Sequence, residues 1–193
     1  YDTKRNKSFL IRDRIGIAPL FYCQDDGVVY FASEIKSILA TGSVSAKLNM
    51  DAFFDFIHLW SALAPETLFA GINQVSPGCY IEIDHNGVTE KRYWDFDFDP
   101  ADEQILDDAI DELDQLLSDA VKIRLRADVP VAAYLSGGLD STIILSYLTR
   151  QGADLETFSL TFDDEQLNEE SFQSEVVKHF STRHHSFCAN YQL

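Results

Sequence analysis

Two styles of secondary structure within one chain predict an α/β fold, α+β over its first half and parallel α/β over its second. Residues 1–98 are filled by short β-rich runs parted by tight turns, the mark of antiparallel pairing. Over residues 99–193 apolar positions first recur at three and four residues, then strand-like and helix-like runs alternate as β-α-β-α-β. That order yields a parallel sheet wound with right-handed crossovers. Between the halves, Trp94-Asp95-Phe96-Asp97-Phe98-Asp99-Pro100 alternates acid with aromatic and ends in a helix-starting proline. The expected domains are therefore 1–98 and 99–193.

In the first half Phe9–Arg12, Leu20–Gln24 and Val28–Ala32 read as strands, the last two joined by Asp25-Asp26-Gly27, where Gly27 is free to take a positive φ. A second hairpin is expected from Cys79–Ile83 through Asp84-His85-Asn86-Gly87 to Val88–Tyr93. Between them, Glu34–Ala40 closed by Gly42, and Met50–Trp60 opened by Asn49 as N-cap, read as short helices.

In the second half Ile105, Leu106, Ala109, Ile110, Leu113, Leu116, Leu117, Ala120 and Val121 describe one apolar helix face. Asp107 and Asp108 near its start and Lys122, Arg124 and Arg126 near its end complement the helix dipole. Val129-Pro130-Val131-Ala132-Ala133-Tyr134-Leu135 is unbroken and apolar, as in a strand covered on both faces. Helix Ser141–Arg150, strand Glu156–Phe162, helix Glu169–Phe180 and strand His184–Phe187 complete the series.

The composition narrows the partners. The 193 residues are 46% hydrophobic, enough for a packed core, and carry 15 Lys plus Arg against 32 Asp plus Glu, a formal charge of −17. Such a surface repels phosphate backbones and anionic lipid, so nucleic acid and membrane are poor partners. A nucleotide triphosphate stays compatible, because oriented amides and a divalent cation overcome a general negative field at one point. Cys23, Cys79 and Cys188 are widely spaced with no CxxC pair, which fits reduced thiols in a cytoplasmic protein. The chain begins at Tyr1 rather than Met, so an upstream part is expected.

The chemistry concentrates in Ser136-Gly137-Gly138-Leu139-Asp140-Ser141, which runs from the apolar strand into a helix. In an open parallel sheet ligands bind at that junction, where unpaired N–H groups and the positive helix end converge. The glycines admit an anion without a Cβ in the way, and Ser136, Ser141 and Thr142 add hydroxyl donors. Asp140 would repel a phosphate and makes sense as a ligand of the Mg²⁺ that accompanies pyrophosphate. The absence of a following Lys excludes a Walker A loop, and the absence of GxGxxG excludes a dinucleotide fingerprint. The plain alternative is a tight strand-to-helix turn with a polar cap.

At this loop the sequence resembles the N-type ATP pyrophosphatases with their SGGxDS signature. The flank Arg126-Ala127-Asp128-Val129-Pro130 narrows the resemblance to glutamine-hydrolysing asparagine synthetases. The first half agrees: Arg12-Asp13-Arg14-Ile15-Gly16-Ile17-Ala18-Pro19-Leu20-Phe21-Tyr22 is similar to that family's RDRxGxKPLYY, and Phe31-Ala32-Ser33-Glu34-Ile35-Lys36 to its FASExK. Thr67-Leu68-Phe69 with Val75-Ser76-Pro77-Gly78 resembles TLFxGIxxLxPG. The resemblance implies part of an Ntn-type antiparallel glutaminase-like domain, followed by the first half of an adenine-nucleotide α-hydrolase-like synthetase domain with a parallel sheet. It implies ATP and Mg²⁺ as cofactors, with aspartate and glutamine-derived ammonia as the other small-molecule partners. Ser136, Gly137, Gly138, Asp140, Ser141 and Thr142 inherit phosphate or Mg²⁺ contacts, and Leu135 and Leu160 match positions whose backbone faces adenine. Glu169 matches an acid that orients substrate. A homodimer is compatible with the family.

The departures are instructive. Ala18 stands where the family has Lys, and Thr142 where a second Ser is common. The glutaminase nucleophile, an N-terminal cysteine, is expected upstream of Tyr1, and the SGxGxDE-type segment downstream of Leu193, so no catalytic residue is assigned and the chain alone is expected to be inactive. Rival readings are a related adenylating enzyme with another acceptor, as in β-lactam synthetase-like relatives, and a non-catalytic remnant. His184 and His185, adjacent on a strand, point to opposite faces and cannot share a metal. Arg12-Asp13-Arg14 is expected to form an internal ion pair, and Asp163-Asp164-Glu165 a solvated acidic loop.

Overall fold

The computed structural model describes residues 1–98, 106–152, 155–164, 166 and 168–189. Asp99, Pro100, Ile105 and Glu165, named above, lie outside the described residues. The chain is mixed α/β and divides into two compact units, Tyr1–Asp99 and Pro100–Leu193.

Unit 1 contains β1 (Ser8–Ile11), β2 (Phe21–Asp25), β3 (Val28–Ala32), α1 (Ile35–Leu39), α2 (Met50–Leu59), β4 (Asn73–Gln74), β5 (Cys79–Asp84) and β6 (Gly87–Arg92). They pair antiparallel into two three-stranded sheets, ordered β1-β5-β6 and β3-β2-β4. Asp26 and Gly27 both take positive φ, 45° and 75°, the two-residue turn whose twist matches a hairpin. Asn49 caps α2 by accepting from the Ala52 amide at 3.3 Å. One core gathers Leu10, Val75, Cys79 and Ile81, the other Cys23, Ile38 and Ile72. Each fully buried aliphatic chain there contributes about 1.5–3 kcal/mol.

The expected ion pair in Arg12-Asp13-Arg14 is replaced by backbone clamps. Arg12 donates to the carbonyls of Val75 at 2.7 Å, Gly16 at 2.8 Å and Ala18 at 3.2 Å. Asp13 accepts from the amides of Ala18 at 2.9 Å and Ile17 at 3.0 Å. Those amides, Ala18 first, hold its carboxyl below the usual carboxylate range. A loop rich in unpaired backbone groups thus satisfies itself with both charges instead of letting them neutralise each other.

Unit 2 contains α3 (Leu106–Arg124), β7 (Ala132–Tyr134), α4 (Leu139–Arg150), β8 (Glu156–Phe162), α5 (Glu170–Phe180) and β9 (Arg183–Ala189). The strands run parallel in the order β7-β8-β9. With strands in sequential order, crossovers of the usual right hand put both connecting helices on one face. Leu117 and Val121 of α3, Leu145 and Leu148 of α4, and Val176, Val177 and Phe180 of α5 accordingly share one core. This corrects the expectation of strands covered on both faces. Among the described residues the second face is open, with Tyr134 90% exposed and Leu160 and Phe187 each 56% exposed. The apolar face of α3 is likewise only partly covered, for Leu106, Ile110, Leu113 and Leu116 are all exposed.

His184 turns toward Thr157, Nδ1 lying 3.0 Å from its hydroxyl, and desolvation lowers its pKa. His185 stacks on Phe158 at 4.9 Å on the opposite face. Cys23 and Cys79 are buried, whereas Cys188 is exposed. Among the described residues no helix is long and apolar enough to cross a membrane.

A clasp fixes α3 to α4. Asp114 accepts from the Tyr147 hydroxyl at 2.8 Å and from Arg150 Nη1 at 2.9 Å. Arg150 foremost, then Tyr147, holds its carboxyl below the usual carboxylate range. A group depressed in this way adds stability above its unfolded value, about 3.9, and loses it as pH falls through the folded value. We expect Asp114→Asn to be less stable than the unsubstituted protein near neutral pH. In an acid titration followed by helical circular dichroism, the two should converge below about pH 4. A gap that stays constant through the acid range would show that Asp114 acts through packing instead.

Candidate functional site

The loop Ser136-Gly137-Gly138 leaves the carboxyl end of β7 and becomes α4 at Leu139, two residues earlier than the expected start at Ser141. Asp140 therefore sits in the first helical turn, where a carboxylate is favoured by the dipole, and is exposed. Gly138 is the N-cap and offers no side-chain cap. The amides of Leu139, Asp140 and Ser141 stand at the helix start, where no earlier carbonyl of the helix reaches them.

The hydroxyls hold the turn in shape. Ser136 Oγ accepts from the Gly138 amide at 3.2 Å and lies 3.0 Å from Ser141 Oγ. Ser141 and Thr142 both donate to the Gly138 carbonyl, at 3.1 and 2.8 Å. The three hydroxyls expected to meet a phosphate thus engage the loop's own backbone, and they pre-order the Gly138 peptide from both sides. The turn thus holds its own shape, and its helix-start amides have no acceptor within the helix to compete with an anion.

The two glycines have different surroundings. Gly137 has φ +83°, and a Cβ on it would lie 2.8 Å from Gln173 N and 2.8 Å from Phe172 Cβ. Its missing side chain is thus the seat of α5. Gly138 is exposed, has φ −74°, and a Cβ there would meet only Ser136 Oγ, at 3.3 Å. Close approach of an anion is available at Gly138.

Leu135 directly follows β7, and Leu160 lies within β8, two residues before its last residue Phe162. Leu135 is buried, its amide donating to the Phe158 carbonyl at 2.8 Å and its carbonyl accepting from Ser159 Oγ. The Leu160 carbonyl accepts from Gln173 Nε2 at 3.0 Å. Both backbones are therefore fixed by buried neighbours. Glu169 is the exposed N-cap position of α5 without a side-chain cap bond, and its carbonyl accepts from Gln173 N at 3.1 Å.

Beside the loop lies a cavity of about 660 Å³, a size suited to a small ligand, walled mainly by apolar residues of α3, β7 and α4, with Ser136, Asp140, Ser141 and Arg124 among its lining. Arg124, read from sequence only as a dipole complement, thus supplies a cation at the same opening. Among the described residues no group of three His, Cys, Asp or Glu side chains could hold a metal. Among the residues bordering the cavity Asp140 is the carboxylate, and it would hold Mg²⁺ only alongside a phosphate-bearing ligand, where the cation would neutralise negative charge. Gln173 escaped the sequence reading, although its spacing from Val176, Val177 and Phe180 puts it on the buried face of α5.

A family model described as glutamine amidotransferase domain matches residues 1–94, and one described as asparagine synthase matches residues 112–192. The chain is 32% identical over 184 residues to glutamine-hydrolyzing asparagine synthetase 3 of Bacillus subtilis, covering 92% of this chain and 29% of that protein. To asparagine synthetase 1 of the same organism it is 33% identical over 167 residues, covering 86% of this chain and 26% of that protein. To amidase chyE of Penicillium rubens it is 33% identical over 189 residues, covering 89% and 28%. The chain thus spans less than a third of the length of each of these relatives.

Proposed function

Because the chain belongs to the glutamine-hydrolysing asparagine synthetase family, we propose that the intact protein converts aspartate to asparagine with ATP and ammonia drawn from glutamine. Unit 1 then belongs to an Ntn-type glutaminase domain and unit 2 to a nucleotide α-hydrolase-like synthetase domain. The aspartate β-carboxylate attacks the α-phosphorus of ATP and pyrophosphate leaves. Ammonia then attacks the acyl carbon of the β-aspartyl-adenylate, forming the amide and releasing AMP.

The observation that carries this reading is the Ser136–Ser141 turn, exposed at the carboxyl end of a parallel strand and opening on a cavity of about 660 Å³. Such a reaction asks the protein for positioning and charge neutralisation rather than a nucleophile. The helix-start amides, Gly138 and the hydroxyls of Ser136, Ser141 and Thr142 serve the pyrophosphate. Asp140 serves Mg²⁺, which when bound neutralises charge on the phosphates. Leu135 and Leu160 border the adenine, and Glu169 orients the acceptor.

The amidase name of the Penicillium rubens relative supports a second reading, in which the adenylation is kept and the acceptor differs. Pyrophosphate release by the intact natural protein, supplied with MgATP and ammonium, separates the two. We expect release that depends on aspartate. Release without aspartate favours another acceptor, and failure to bind MgATP removes both readings.

A further inference from the structure

We propose that Gln173 is a positioning residue for the nucleotide site, holding the carboxyl end of β8 against the loop through its side-chain amide. This rests on the nucleotide reading given above. Gln173 is only 3% exposed, on the core side of α5. Its Nε2 donates to the Leu160 carbonyl at 3.0 Å, and its backbone fills the space that a Gly137 side chain would need. One residue therefore meets both the glycine turn after β7 and the carboxyl-terminal half of β8.

Packing alone does not account for the amide. Among the described residues Oε1 is buried without a donor, a cost that an apolar side chain of equal length would avoid. What the amide adds is a directed N–H. A peptide carbonyl accepts two hydrogen bonds, so Nε2 fixes the Leu160 peptide while leaving one lone pair for a ligand. Ser159 treats the Leu135 carbonyl in the same way from beneath β7. The Leu135 and Leu160 carbonyls are thus each aimed by a buried side-chain donor, and binding need not order them.

The test is Gln173→Met in the intact natural protein, with MgATP binding by calorimetry and thermal unfolding of the ligand-free form. Methionine keeps the length and removes both the donor and the unpaired oxygen. We expect an unfolding midpoint at or above that of the unsubstituted protein, with affinity for MgATP about tenfold weaker and KM for ATP rising more than kcat falls. Affinity within about twofold of the original, or a loss of affinity that merely tracks a loss of stability, overturns the proposal. Gln173→Leu repeats the measurement should the methionine variant misfold, and misfolding of both shows a purely structural role. If the unsubstituted protein fails to bind MgATP, the nucleotide reading itself falls and takes this proposal with it.

Discussion

Asp140→Ala in the intact protein is expected to abolish magnesium-dependent pyrophosphate release, a loss of at least about 100-fold, while the fold survives. The two parts of that expectation have separate physical grounds. Asp140 is exposed in the first turn of α4, and among the described residues no hydrogen bond or ion pair of its side chain holds the loop together. The turn is shaped instead by Ser136, Ser141 and Thr142 around the Gly138 peptide. Removing the carboxylate therefore takes away little structure beyond a favourable dipole contact. On the proposed reading it does take away the carboxylate that would hold Mg²⁺ beside the phosphates, and a cation bound mainly by phosphate and water would depend heavily on such a ligand. Asp140→Asn, which keeps the size and loses the charge, should be nearly as damaged and should need far more magnesium for half-maximal rate. Turnover that survives in both variants, with only a lowered unfolding midpoint, would reduce Asp140 to a helix-start residue.

The loop was readable in sequence because each of its signals is local. An apolar run, two glycines and a polar helix start follow one another within the thirteen residues from Val129 to Ser141, and the structure returns strand, turn and helix in that order. The same holds for the Asp26-Gly27 turn and the Asn49 cap, where a single side chain or φ decides the outcome. What escaped is set by partners distant in the chain. That β1 pairs with β5, and β2 with the two-residue β4, follows from tertiary contacts that no local pattern encodes. The strand expected across Val129–Leu135 shrinks to Ala132–Tyr134, since pairing with β8 rather than apolarity sets its length. The ion pair expected within Arg12-Asp13-Arg14 gave way to clamps on carbonyls and amides brought close only by folding. Gln173 lay on an apolar helix face as the odd polar residue, which was a visible signal, but its partner Leu160 is fixed by the packing of α5 on β8.

Gly137→Ala is the substitution expected to cost the most stability, roughly 2–5 kcal/mol, from a left-handed backbone and an overpacked contact together. At φ +83° an alanine is strained whatever the space, and here there is none, because its Cβ would lie 2.8 Å from the backbone nitrogen of Gln173. Backbone cannot swing aside as a flexible side chain can, so α5 must shift and carry its share of the unit 2 core with it. Gly138→Ala separates this packing demand from the demand of the site. Its φ of −74° suits any residue and its Cβ would meet only a serine oxygen at 3.3 Å, so stability should change by less than about 0.5 kcal/mol. On the proposed nucleotide reading the added methyl group would nonetheless stand in the anion's way, and loss of one charge-assisted hydrogen bond would weaken MgATP binding roughly ten- to hundredfold. Thermal unfolding of the two variants beside MgATP titration of the second decides the matter. An unstable Gly137→Ala with a stable, weakly binding Gly138→Ala assigns one glycine to packing and the other to the anion, whereas equal and full binding by Gly138→Ala would leave the turn as a structural connection alone.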